Sequence, residues 1–545
     1  MRPHLPWVAP PAWAPLIFLA LFFAHPLTAI LSVSFAQGGW QAAAVVLRDP
    51  AVHQVLSWTT FQALLSSGIS VVLALPAAFF LSRVQFPGQG LASMLLLLPF
   101  VLPTVVVATA FAVLADPTSF LGRLTAPVFG AAETPGMAAI LGAHVFYNLG
   151  LAARIMAGLW ARIPQSAAHA AATLGAPPIT IFFRVHLPLL APGILASAIT
   201  VFALCFSSFG VVLLLGGGRF ATIEVAIYQA TMQQLDLPRA GILAVLQLGC
   251  SALFFALASV SARSVPLHGQ AIPTAWRQLP RTVQGAGILC GAILFAGLIL
   301  PLVALILESF RVQNAWSLEA YRLLAQDPRQ SALGTAPIVS LAYSLRYAAL
   351  ATALAVPLGL AAALGARRSR LRTAIETVCM LPMTTSAATL GLGLLLALRT
   401  PWWDARTAAW IIPVAHALVA LPLVLRTLQP ALEAISPQLG EAAATLGASP
   451  RQILGRITLP LLARPLAMAT TVSLAVSLGE FGASLFLVRP TTPTLPVAIY
   501  RSLSLPGTTN HAQALALATI LLATCAVLGL VAQRLWVGAS HKAHP

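Results

Sequence analysis

Lysine is almost missing from this chain: the only one among 545 residues is Lys542, in the C-terminal tail. A phosphate-binding loop needs a glycine-rich turn followed by a lysine that reaches the phosphates. The chain therefore carries no Walker motif of its own. Charge of either sign is also scarce, at 8% of residues against 59% hydrophobic, and the mean hydropathy is +0.89. Soluble globular proteins are about 25% charged; a chain this poor in charge cannot coat a water-facing surface, so most of its surface must face lipid. The five cysteines, Cys205, Cys250, Cys290, Cys379 and Cys525, lie singly in apolar stretches without a CxxC pair. That gives neither a zinc site nor a disulfide framework, and they read as small buried hydrophobes. No metal or other cofactor is expected. The net charge of +17 comes from arginines scattered between apolar runs, with no basic, aromatic-bearing domain to follow a phosphate backbone. Nucleic acid is not expected as a partner; the charge reads as a topology signal.

What is abundant is long apolar sequence. A bilayer core about 30 Å thick takes about 20 apolar residues in a helix. Such runs fall near 15–36, 59–81, 91–114, 137–160, 190–215 and 241–260, and again near 286–308, 342–364, 374–397, 408–428, 463–487 and 513–536. The expectation is an all-α polytopic membrane protein of about twelve spans in two sets of six. The first run is too long for a signal peptide and lacks a clear small-residue cleavage site, so it reads as a retained span. Between the sets, 261–285 is polar, contains Arg263, Arg277 and Arg281, and reads as a linker. The densest basic cluster is Arg367, Arg368, Arg370 and Arg372, which places that loop in the cytoplasm. Counting spans from it puts both termini, the linker and the long segments 161–189 and 429–462 on the same side.

Those two long segments are copies of one another. Ala-Ala-Ala-Thr-Leu-Gly-Ala occurs at 170–176 and at 442–448, an offset of 272. At that offset Arg184 meets Arg456, Leu187-Pro188-Leu189-Leu190-Ala191 meets Leu459-Pro460-Leu461-Leu462-Ala463, and His144, Arg154 and Ile163 meet His416, Arg426 and Ile435. Residues 438–446 read as a short helix ended by Gly447, which accepts the left-handed conformation. Ser449-Pro450-Arg451-Gln452 restarts a helix, with Ser as N-cap, Pro at the first position and Gln at the third. Pro460 is expected to end that second helix. The first copy reads the same way through Gly175, Pro177 and Pro188, so each copy should form a compact knob between two spans.

Glu441-Ala442-Ala443-Ala444-Thr445-Leu446-Gly447, followed by Ile457 and Leu459-Pro460, resembles the EAA motif of binding-protein-dependent ABC importer permeases. The resemblance covers essentially the whole chain. It implies the type I importer permease fold, with permease halves at 1–260 and 286–545. It implies no enzymatic activity in this chain, ATP hydrolysis by a separate cytoplasmic ABC ATPase (as a homodimer), and a periplasmic substrate-binding protein. It also implies a multi-pass location in the bacterial inner membrane. In that family the motif forms a coupling helix docked on the ATPase, which here assigns Glu441, Ala442, Gly447 and Pro460, with His169, Ala170, Gly175 and Pro188 in the first copy. His169 stands where the motif has Glu, which puts a Glu-dependent contact of the first half in doubt. Two such loops on one chain resemble the fused permeases of thiamine and ferric-iron importers. The thiamine (and thiamine pyrophosphate) permeases are the nearer likeness, through Ala143-His144-Val145-Phe146-Tyr147-Asn148-Leu149, Leu204-Cys205-Phe206-Ser207-Ser208-Phe209, and Gly216-Gly217-Gly218 leading to Ile223–Gln229.

Glu480 lies inside a span, where an ionisable residue usually faces a bundle interior or a watery path. Either it lines a translocation route together with its repeat partner Ser208, where a negative charge would suit cationic thiamine, or it pairs with an arginine or a helix N-terminus. His144 and His416 are read as span-end histidines held by carbonyls rather than as a metal or proton-relay pair. Gly216-Gly217-Gly218 reads as a flexible turn, and Pro357 and Pro422 as kinks. An ion-coupled secondary transporter is the competing class; it would need several membrane carboxylates, and only Glu480 and Glu308 stand out.

Overall fold

The computed structural model describes residues 10–36, 39–96, 98–129, 136–262, 273–313, 315–325, 334–398, 408–489 and 491–540. In lipid a backbone must satisfy its own hydrogen bonds, and the apolar runs accordingly form helices. Among the described residues nine are long and apolar enough to span: Trp13–Phe35, Pro50–Arg83, Met137–Trp160, Pro178–Phe206, Leu237–Ala258, Arg281–Ser309, Val339–Arg367, Ile411–Glu433 and Thr508–Val531. Two bent pairs bring the number to eleven if each is one span, Arg372–Thr384 with Ala387–Ala397 at 98° and Pro450–Leu461 with Ala463–Gly479 at 70°; Thr104–Ala115 is a shorter apolar helix. The fold is all-α and polytopic, with nine to eleven candidate spans among the described residues, arranged as two repeated sets.

Four of the expected spans are interrupted rather than continuous. The run at 91–114 breaks into Gln89–Leu95, Leu98–Val101 and Thr104–Ala115, with Pro99 and Pro103 removing backbone donors. The run at 374–397 breaks at Thr385 and Ser386. The run at 190–215 splits into Leu187–Phe206 and Gly210–Leu215, and that at 463–487 into Ala463–Gly479 and Gly482–Leu487. The breaks are paired by the repeat, since Ser207–Phe209 and Gly479–Phe481 lie at the offset of 272.

Of the expected linker, 263–272 lies outside the described residues, as do both chain ends. Its remainder is ordered earlier than expected: Thr274–Ala275 pairs in parallel with Val84–Gln85, and the next span already begins at Arg281.

Small residues let the spans of each half approach closely. The second span of the first half packs on the fourth, and Ala63, Ser66, Ser70, Ala74, Ala77 and Ala78 are among its buried residues. In the second half Gly359 lies so near Val424 that a Cβ would stand 2.4 Å from its Cγ1. The first span of each half crosses to the other. Trp13–Phe35 packs on Val339–Arg367 and Ala387–Ala397, and Arg281–Ser309 packs on Thr104–Ala115. Gly365 permits the first crossing, because a Cβ there would meet the Ala12 backbone at 2.4 Å.

Candidate functional site: twin knobs and a shared cavity

The knobs form as the sequence predicts. Gln165–Thr173 and Pro437–Thr445 are the first helices, each ended by a glycine with positive φ, +80° at Gly175 and +85° at Gly447. Gly175 N donates to Ala172 O (2.9 Å) and Ala176 N to Ala171 O (3.1 Å); Gly447 N and Ala448 N donate to Ala444 O and Ala443 O, both at 3.0 Å. These are the two crossed bonds of a Schellman ending. In the second knob Ser449 and Gln452 exchange both bonds of a capping box, whereas Pro177 holds the N-cap position in the first. His169, Ala170, Gly175, Pro188, Glu441, Ala442, Gly447 and Pro460 are all exposed. At the tips Leu174 and Leu446 are 88% and 89% exposed, among the barest large hydrophobic side chains of the described residues.

Pro188 does not end its helix as expected, since Pro178–Phe206 runs through it. The second copy does stop at Leu461, one residue after Pro460, and bends by 70° into Ala463–Gly479. Before each proline lies a π turn, Phe182–His186 or Leu454–Thr458. A proline removes one N–H and crowds the carbonyl four residues back; the wider turn shifts the ladder by one residue, and in the first copy the helix continues to Phe206.

Away from the knobs, all four interruptions border one cavity of about 360 Å³ between the halves. Its lining includes Pro103, Thr104, His144, Tyr147, Ser208, Phe209, Ala387, Glu480 and Phe481. Phe209 and Phe481, repeat partners, stack on one another with centroids 5.8 Å apart and planes at 22°. Ser208 and Glu480 come to this same cavity. His144 bridges Ser66 Oγ (3.0 Å, Nδ1) and Ser208 Oγ (2.9 Å, Nε2). His416 bridges Ser477 Oγ and Ser484 Oγ, both at 2.7 Å, with Glu480 Oε2 3.3 Å from Nε2. The histidines are thus held by hydroxyls, not by carbonyls, because the broken helix beside each ring presents serines to it. Glu480 caps the helix Gly482–Leu487, accepting from Ala483 N at 2.8 Å, Ser484 N at 2.9 Å and Ser484 Oγ at 2.7 Å. The helix-terminus reading of Glu480 therefore holds, and the carboxylate also borders the cavity.

The sequence reading missed two features. Glu224 is fully buried, with Oε2 accepting from Ser386 Oγ at 2.7 Å across the halves, so Glu480 and Glu308 are not the whole set of membrane carboxylates. It enters because Ile223–Tyr228, after the turn at Gly217 and Gly218, folds back into the bundle. The Phe209–Phe481 stack was also overlooked, although Phe-Gly recurs there at the repeat offset.

Residues 355–536, which hold the second knob and Glu480, match the family model of the binding-protein-dependent transport system inner membrane component. The C-terminal half is thus similar to the permease subunits of ABC importers. Relatives of the chain span nearly all of it. The thiamine transport system permease protein of Brucella abortus (strain 2308) is 29% identical over 525 residues, covering 95% of this chain and 94% of the relative. That of Escherichia coli (strain K12) is 29% identical over 544 residues, 98% of each chain. A probable ABC transporter permease of Sinorhizobium fredii is 24% identical over 546 residues, covering 97% of this chain and 95% of the relative. By length and composition the apolar helices make the chain a multi-pass membrane protein.

Proposed function

We propose that this chain is a fused permease that moves thiamine or its phosphate esters into the cytoplasm, driven by a homodimeric ATPase docked on the two knobs and supplied by a soluble binding protein on the opposite face. In this reading 1–260 and 286–545 are the two permease halves, and the knobs, the 261–285 linker and both termini are cytoplasmic. The observation that carries ATPase coupling is the twin knobs, each ending in a Schellman turn beneath a bare leucine. An apolar side chain held in water at matched sites on two rigid loops suits a pair of identical apolar grooves. Thiamine is favoured over ferric iron by the names of the full-length relatives and by the cavity, where the Phe209, Phe481 and Tyr147 rings and the Glu480 carboxylate suit a flat cationic ring. Ser208 and Glu480 then line the path on its two sides, and the Phe209–Phe481 stack closes it until the halves move apart.

The test is uptake into vesicles holding this chain, its ATPase and its binding protein, with labelled thiamine against ferric iron. ATP-dependent thiamine accumulation is the expected result. Iron uptake without thiamine uptake would overturn the substrate while leaving ATP-driven import in place.

A further inference from the structure

The second span of each half ends in an arginine whose guanidinium reaches the chain just ahead of the knob. Arg83 is buried, and its Nη2 donates to Ile163 O at 2.8 Å. Arg367 donates from Nη1 to Leu432 O at 2.8 Å and from Nη2 to Ile435 O at 2.9 Å. Ile163 and Ile435 are repeat partners, and the knob helices start two residues later, at Gln165 and Pro437. The accepting carbonyls lie at or just past the end of the fourth span, where backbone donors run short; Leu432 O also accepts from Ile435 N at 3.3 Å.

The same two spans are tied at their far ends. Ile223 N donates to Thr59 Oγ1 at 3.0 Å, and Leu495 N donates to Ser344 Oγ at 2.6 Å. Ile223 and Leu495 are again repeat partners, each opening the helix that follows the broken fifth span. Along a helix, 23 or 24 residues rise about 35 Å. Between its two ties the first-half span also carries Ser66, which holds His144 at the cavity. In the second half Thr352 donates to Ser473 Oγ at 3.0 Å, on the bent fifth span.

We infer that Arg83 and Arg367 are positioning residues that make the second span of each half a strut between knob and cavity. A push on the knob is delivered through the guanidinium to one helix that stays unbroken past Pro76 or Pro357, and by that helix to the cavity wall. The inference rests on the proposed role of the knobs. Arg367, with two bonds, is the stronger of the pair.

The experiment compares R83Q, R367Q and the double variant with the unmodified chain, in vesicles with ATPase and binding protein. ATP hydrolysed per thiamine delivered is measured alongside co-purification of the ATPase. The double variant should keep its ATPase and its hydrolysis while the ratio rises about tenfold; R367Q should exceed R83Q, and R367K should recover part of the loss. An unchanged ratio, or a loss of ATPase that R367K does not relieve, would reduce the arginines to plain helix caps and overturn the inference. A second measurement needs no ATPase. Spin labels at Leu446→Cys and at an exposed site on Val339–Arg367, in a chain freed of its native cysteines, should give a broader distance distribution with R367Q than without it. An unchanged distribution overturns the strut, whereas a failure of the unmodified chain to couple to ATP would sink the proposed function alone.

Discussion

Glu480 stands where two half-helices meet, and its carboxylate collects two backbone N–H groups, a hydroxyl and the edge of His416. Hydrogen bonds to a charged acceptor are worth about 1.5–3 kcal/mol each. Glu480→Ala should therefore lower stability by at least about 2 kcal/mol, seen as earlier thermal unfolding in detergent. Glu480→Gln keeps the shape but loses the charge; it should raise the KM for thiamine more than it lowers the melting temperature. A melting curve unmoved by Glu480→Ala would refute the capping role, and an unmoved KM in Glu480→Gln the path-lining one. Gly447 is held at φ +85°, where an L side chain costs about 1–2 kcal/mol and proline cannot go at all. Gly447→Pro should leave the spans folded and uncouple hydrolysis from uptake. An unchanged coupling ratio would count against the knob as transmitter.

At the level of the element, the knob is a small rigid body whose apolar tip faces water. Leu174→Asp and Leu446→Asp should leave thermal stability within about 0.5 kcal/mol, as surface changes do, while ATPase co-purification falls. Leu446→Asp should cost more, because only the second knob has the capping box and Glu441. Pull-down of the ATPase with each variant checks the order. The knobs were legible in the sequence because caps, glycine ends and prolines act over three or four residues. The π turns were not, because a proline alone does not tell whether the chain stops or widens its ladder. The breaks at Phe206–Gly210 and Gly479–Gly482 were also hidden: a few polar residues inside long apolar runs do not mark a helix end, and packing of Gly210 on Thr104 and of Gly482 on Ala387 shows where the helix turns.

Across the molecule, the two halves are locked by exchange of their first spans, so each half is incomplete without the other. A chain cut within 263–272 and expressed as two pieces should co-purify as a complex, and Gly365→Leu, which would drive a side chain into Ala12, should weaken it. Separate elution of the unsubstituted pieces would show the crossing to be unimportant. The twofold plan was legible downstream of His144, where the offset is constant at 272. Upstream it was not: Thr104 and Ala387 are 283 apart, since the connection before the fourth span is 11 residues shorter in the second half. Arg83 and Arg367, 284 apart, fell outside a fixed-offset comparison for that reason. The four interruptions around the cavity have one more consequence. Where a helix stops, its peptide groups turn outward, so part of the wall that meets the cargo is main chain, which no codon change removes. Side-chain scanning will therefore understate how polar this chamber is, and replacing single amides by esters at 208–210 and 480–482 is the chemistry that would reveal it.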